Sequence, residues 1–176
     1  GNKAAGKTSI IRRLCQNTFE QDCISTVNAS FQTKNFEIDK KNITLSIWDT
    51  AGQEKFNSIS AIYFRNSQFA LIIFDVTDDN PFDDIDKWID MAKKRSETNT
   101  NIILVGNKID RPKQFDVDKL SQFAKENNYQ YYETSAKTGE GIEALFDEIA
   151  KNAAKLEITG HAFENIDFGN EKKGCC

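Results

Sequence analysis

No apolar run in the 176 residues approaches the roughly 18 that a membrane-crossing helix requires, and no signal peptide is visible. Basic excess is missing as well. The 23 lysines and arginines face 27 acidic residues, a net charge of −4, which speaks against a nucleic-acid surface. The four cysteines form neither a disulfide framework nor a zinc pattern, because Cys15 and Cys23 are isolated while Cys175 and Cys176 are adjacent. That usage points to a reducing, cytosolic setting. The one histidine, His161, lies in a polar stretch without period and reads as a solvated side chain rather than a ligand. Neither an internal repeat nor a low-complexity segment is present. What remains is room for one domain with a sizeable core.

The most informative stretch is Gly1-Asn2-Lys3-Ala4-Ala5-Gly6-Lys7-Thr8, which fits G-x-x-x-x-G-K-[ST] without a mismatch. Two glycines let the backbone turn tightly, so that successive N–H groups face an anion while a helix beginning near Gly6 aims its positive end at the same point. Lys7 can reach outer phosphates and the Thr8 hydroxyl can hold Mg²⁺. Such a loop normally follows a strand in the middle of a sheet, whereas here Gly1 is the first residue. The expectation is therefore a chain that lacks its first strand, about 5–6 residues.

Beyond the loop, Lys7 to Cys15 predicts a helix, with Ile10, Ile11 and Leu14 on one face. Phe31 to Asp39 and Ile43 to Trp48 predict an antiparallel hairpin around the turn Lys40-Lys41-Asn42. The apolar runs Phe69 to Phe74 and Ile102 to Val105 have the continuous character of parallel strands buried on both faces. Helices are predicted over Pro81 to Arg95, Asp116 to Asn127 and Gly141 to Ala154, with a short strand over Tyr129 to Glu133. This alternation predicts a doubly wound α/β domain with ligand loops at the carboxyl ends of its strands.

Four clusters fall where those loops belong. Asp49, at the end of the second hairpin strand, is placed to act on Mg²⁺ directly or through water; Gly52 can bring its N–H to a terminal phosphate, and Gln53 can orient a water for in-line attack. Asn107-Lys108-Ile109-Asp110 follows the second apolar run. A carboxylate there can accept both N–H groups of guanine's Watson–Crick edge, which adenine does not supply, and a site built for such bonds rejects the analogue by roughly 10⁴–10⁵. Thr134-Ser135-Ala136-Lys137 can touch the base through backbone N–H groups and the Lys137 stem, or can serve as a capping turn before Gly139. No side chain is cast as a covalent nucleophile.

The residues then resemble the small Ras-like GTPases, and within them the Rab family, over nearly the whole chain. The likeness rests on Gly1 to Thr8, the threonine of Ser25-Thr26-Val27, D-T-A-G-Q-E from Asp49, N-K-x-D from Asn107 and T-S-A-K from Thr134. Rab character lies in Ile47-Trp48, Lys55-Phe56-Asn57-Ser58-Ile59, Tyr63-Phe64-Arg65-Asn66 and Cys175-Cys176. The resemblance implies a P-loop NTPase fold of Ras type: a doubly wound, mostly parallel sheet with one antiparallel edge strand, its first strand missing. Residues 1–155 would form the GTPase domain and 156–176 a flexible tail.

It further implies a switch in vesicle trafficking that binds GTP and GDP with Mg²⁺ and hydrolyses GTP. Gly1, Asn2, Lys3, Ala4, Ala5, Gly6, Lys7, Thr8, Ser9, Phe19, Thr26, Gly52, Asn107, Lys108, Asp110, Ser135, Ala136 and Lys137 would bind nucleotide, Phe19 lying against the guanine. Thr8, Thr26 and Asp49 would hold the metal, with Gln53 and Lys7 serving the chemistry. Phe31, Trp48 and Tyr63 would form an aromatic triad read by effectors, with ordinary core packing as the alternative. Cys175 and Cys176 would carry two geranylgeranyl groups, since one chain binds membrane only marginally. Implied partners are an exchange factor, a GTPase-activating protein, effectors, a GDP-dissociation inhibitor and the prenylation machinery, with no nucleic acid. The protein would act as a monomer on the cytosolic face of intracellular membranes and cycle through the cytosol. Asn28-Ala29-Ser30-Phe31 is similar to the early-endosomal branch. Three positions depart from the family pattern: Lys3, where relatives carry small residues, Asn28 in place of a common glycine, and Asn66-Ser67 in place of Gly-Ala. The first motivates slower hydrolysis or a poor response to an activator, and together with the absent strand it motivates a variant reading, a protein that holds guanine nucleotide and scarcely turns it over. A P-loop kinase or ATPase is disfavoured by Asn107 to Asp110.

Overall fold

The chain is described by a computed structural model covering residues 1–21, 26, 29–50, 64–96 and 100–158. Helix α1 (Lys7–Gln16) follows the loop and leads to strands β1 (Ser30–Ile38) and β2 (Lys41–Asp49). Then come β3 (Phe69–Asp75), α2 (Phe82–Arg95), β4 (Asn101–Asn107), α3 (Val117–Glu126), β5 (Gln130–Thr134) and α4 (Ile142–Ile158). The predicted order of elements is observed.

Among the described residues the ladders fall into two sheets, an antiparallel pair β1-β2 and a parallel sheet β3-β4-β5. The parallel strands show why their sequences are continuously apolar. Ala70, Ile72, Phe74, Ile102 and Leu104 point into one core with Ile85, Trp88 and Ile89 of α2 and Leu120 of α3. Their neighbours Ile73, Ile103 and Val105 point into a second core with Ile10 of α1 and Leu145, Phe146 and Ile149 of α4. Period-2 alternation thus feeds two helical layers, and the polar residues of β3 and β4 are confined to strand ends, at Asp75, Asn101 and Asn107. The hairpin joins the second core through Ile43 and Leu45. Each fully buried Leu or Ile contributes about 1.5–3 kcal/mol, so the cores, rather than propensity, fix the helices.

Two of the departures from the sequence reading have a clear local cause. The hairpin closes on Asp39 and Lys40, whose φ angles of 50° and 64° are left-handed, so Lys41 and Asn42 belong to β2. Positive φ at both turn residues matches the right-handed strand twist, and Asp tolerates it better than most. Helix α4 continues to Ile158, four residues past the predicted end, because no Gly or Pro interrupts it before Gly160. The first three residues of the expected tail are therefore helical; residues 159–176, with His161, lie outside the described residues.

Candidate functional site

The carboxyl ends of β2, β4 and β5 and the start of α1 converge on one cleft of about 250 Å³. Lys3, Ala4, Gly6, Lys7, Thr8 and Ser9 line it from the phosphate loop, Thr26 and Phe19 from the segment after α1, and Asn107, Lys108, Asp110, Ala136 and Lys137 from the strand ends. Glu20, Gln21, Thr50 and Arg111, which motif reading did not single out, complete the wall.

The loop is built by close approach. Gly6 has φ 94°, and a Cβ there would meet Asn107 Nδ2 at 2.2 Å; a Cβ at Gly1 would meet the Ile73 carbonyl oxygen at 1.9 Å. Both positions are glycine because backbone or amide occupies the space. With Gly6 as its left-handed cap, α1 starts without a side-chain cap, leaving its first N–H groups directed at the cleft. Lys7 folds over the loop, donating from Nζ to the carbonyl oxygens of Gly1 at 2.8 Å and Asn2 at 2.7 Å. Burial lowers its pKa to about 8 against the opposing pull of Asp49.

Beside it sits an oxygen-rich corner. Thr8 Oγ1 donates to Asp49 Oδ2 at 2.7 Å and lies 2.7 Å from Thr26 Oγ1. Asp49 is 2% exposed, and its Oδ1 is the one buried side-chain polar atom among the described residues without a hydrogen-bond partner. Burial pushes its carboxyl up, which the Thr8 bond and the Lys7 charge partly offset. Two hydroxyls and a carboxylate with an orphaned oxygen are a hard donor set that fits Mg²⁺.

The base end is different in kind. Asn107, 1% exposed, donates from Nδ2 to Ala5 O at 2.9 Å and accepts at Oδ1 from Ala136 N at 3.2 Å and Thr134 Oγ1 at 3.3 Å. One amide therefore ties the phosphate loop to the loop after β5. Ser135 Oγ donates to Asp110 Oδ1 at 2.6 Å and accepts from Thr138 N at 3.1 Å. Lys108, at φ 72°, is paired with the Asp75 carboxylate, which also accepts from Thr77 N and Oγ1. Burial alone would raise the Asp75 pKa, but these bonds outweigh it and hold the carboxyl low. Arg13 of α1 donates to Ala136 O at 3.0 Å, Lys137 O at 2.8 Å and Asn17 O at 3.0 Å, clamping the last loop from below. The Thr134–Lys137 segment is thus both a capped turn and part of the cleft.

Of the residues expected at the site, Gly1, Ala5, Asp49 and Ser135 are buried behind the wall, and Asn2 turns its side chain away from the cleft. Gly52, Gln53, Tyr63, Cys175 and Cys176 lie outside the described residues. Phe31 and Trp48 sit opposite each other on β1 and β2, 46% and 40% exposed with ring centroids 4.8 Å apart, so they are surface aromatics rather than core. Asp75 and Arg13 were missed. The partners that tie them to the site lie 33 to 124 residues away, and no local pattern marks them.

Residues 1–155 match the Ras family. The chain is 39% identical to Ras-related protein Rab-21 of Mus musculus over 153 residues, 86% of this chain and 69% of that protein. It is 34% identical to Ras-related protein RABE1e of Arabidopsis thaliana, covering 100% of this chain and 89% of the relative. It is also 34% identical to GTP-binding protein ypt3 of Schizosaccharomyces pombe, covering 96% and 79%.

Proposed function

Because this chain belongs to the Ras family, and within it to the Rab small GTPases, we propose that the cleft is its guanine-nucleotide site, with phosphates at Gly1 to Thr8 and the base between Asn107–Asp110 and Ser135–Lys137. The protein is a small GTPase: it binds GTP and GDP, hydrolyses GTP and acts as a switch in vesicle trafficking. The observation that carries the assignment is that loop, oxygen corner and base loops all open on one cavity.

In this reading the loop N–H groups and Lys7 hold the outer phosphates, Asp110 accepts from the base, and Phe19 covers it. Thr8, Thr26 and Asp49 would hold Mg²⁺, which would offset the charge of the phosphates. Gln53 orients the attacking water. Thr26 and Gly52 sense the terminal phosphate and relax when it leaves, which is the switch. Positioning without a covalent step makes unaided turnover slow, and an activating protein completes it. Phe31 and Trp48, with Tyr63, offer an aromatic surface to effectors. Lipid at Cys175 and Cys176 would hold the protein at intracellular membranes, with an endosomal address supported by the likeness to Rab-21.

The test is nucleotide exchange and single-turnover hydrolysis by the purified chain with Mg²⁺. Bound GDP should be displaced by GTP and not by excess ATP, and GTP should be converted to GDP and phosphate. Displacement by ATP would overturn the guanine assignment.

A further inference from the structure

The phosphate loop is fastened to the far side of the parallel sheet by one side chain. Asn2 Oδ1 accepts from Trp88 Nε1 at 2.8 Å, and its Nδ2 donates to the Asp84 carboxylate. Asp84 and Trp88 are four residues apart on α2 and so share a face. Trp88 is 6% exposed and packed in the core of α2 and β3. Its indole N–H can only donate, and a buried donor needs a partner; Asn2 is that partner. Gly1, Ala4, Ala5 and Gly6 offer no polar side chain and Lys3 is exposed, so Asn2 carries this tie for the loop. The main-chain oxygen of Asn2 accepts from Lys7 Nζ at 2.7 Å and from Ala5 N at 3.4 Å. The residue gripped by α2 is thus the one whose carbonyl holds the lysine.

We propose that Trp88 and Asp84 are positioning residues for the phosphate loop, acting through Asn2 to set the aim of Lys7 and making α2 a control point for nucleotide retention. The proposal rests on reading the cleft as the nucleotide site. An amide held at both ends loses its rotamer freedom, and the backbone it belongs to is fixed with it. Anything that shifts α2 against the sheet changes how firmly the phosphates are held.

The test is GDP release from the full chain with Mg²⁺, followed by exchange against a fluorescent guanine nucleotide. Asn2→Ala and Trp88→Phe should each speed release roughly 2- to 10-fold, the worth of a hydrogen bond, and the double variant should be no faster than the quicker single. Asn2→Asp alone sets two carboxylates together and should release faster still. Adding Asp84→Asn to it rebuilds the pair with donor and acceptor exchanged and should return release to within about twofold of the parent. This rescue is what a merely structural role does not give. Release unchanged in Asn2→Ala, or no rescue by the exchanged pair, overturns the proposal. A parent chain that holds no GDP would instead sink the nucleotide reading. In that event the tie is read from the Trp88 indole N–H resonance, assigned against Trp48→Phe. It should move in Asn2→Ala, and a resonance that stays put would remove the tie itself.

Discussion

The two ends of the cleft are finished to different degrees. At the base end, Asn107 and Arg13 are bonded to the surrounding backbone, Ser135 to Asp110 and Lys108 to Asp75, so the loops after β4 and β5 are set by the protein's own groups. At the phosphate end, among the described residues, Asp49 is buried with one oxygen unpartnered and Lys7 donates only to carbonyl oxygens of its own loop. The base end is preorganised, and its cost was met in folding. The phosphate end carries unspent polar groups, which a metal and an anion would complete. Under the proposed nucleotide reading this asymmetry suits a switch: one end would grip whichever nucleotide is present, and the other would respond to what the nucleotide carries.

The sharpest way to break the comparison is to remove one carboxylate or amide from each end and measure the stability of the nucleotide-free chain in urea. Asn107→Ala should be destabilised by about 3 kcal/mol or more, because the Ala5 carbonyl, the Ala136 N–H and the Thr134 hydroxyl are left without their partner in a buried site. Asp49→Ala should go the other way or nowhere. It deletes a group already short of a partner, so the nucleotide-free chain should be unchanged or firmer by about 1 kcal/mol, while Mg²⁺-dependent retention of GDP is lost. Equal destabilisation by both would mean that the phosphate end is as self-sufficient as the base end.

How much of this was legible in the sequence divides along the same line. Gly1 to Thr8, Asn107 to Asp110 and Thr134 to Lys137 are short strings of residues committed to one chemistry, and a string survives translation into a loop intact. The α/β layering was legible because strands buried on both faces admit almost no polar residue, as in Ile102 to Val105. Cross-chain ties were not legible. Asn2 to Trp88 spans 86 residues and Arg13 to Lys137 spans 124, and nothing periodic links such pairs. The direction of Asn2, away from the cleft, is likewise a tertiary fact.

A smaller effect sharpens the account of the base end. Asp75 is lowered in the folded state beneath the ordinary 3.8, its burial being outweighed by bonds from Lys108 and Thr77. A carboxyl that is lower when folded adds stability that is full above 3.8 and vanishes as pH falls through the folded value beneath it. Asp75→Asn should therefore lose about 1 kcal/mol at pH 7, and below pH about 4 the gap between variant and parent should close. A gap that persists in acid would show that packing, not the ion pair with Lys108, is what Asp75 supplies.

The smallest expected effect tests the phosphate end against its own departure from the family pattern. Lys3 is exposed on the cleft wall, where under the proposed reading a long cation would stand beside the outer phosphates. Its charge would favour the developing negative charge of the transition state, yet its bulk occupies the approach an activator's arginine needs. The second effect should win, because a solvated lysine contributes little while an obstructed approach displaces the group that completes the site. Lys3→Ser should then raise activator-stimulated turnover about two- to fivefold, a barrier change of about 0.5–1 kcal/mol, with GDP release unaltered. Slower turnover in the variant would make Lys3 a resident substitute for the activator's arginine, and the phosphate end would prove better furnished than its orphaned carboxylate suggests.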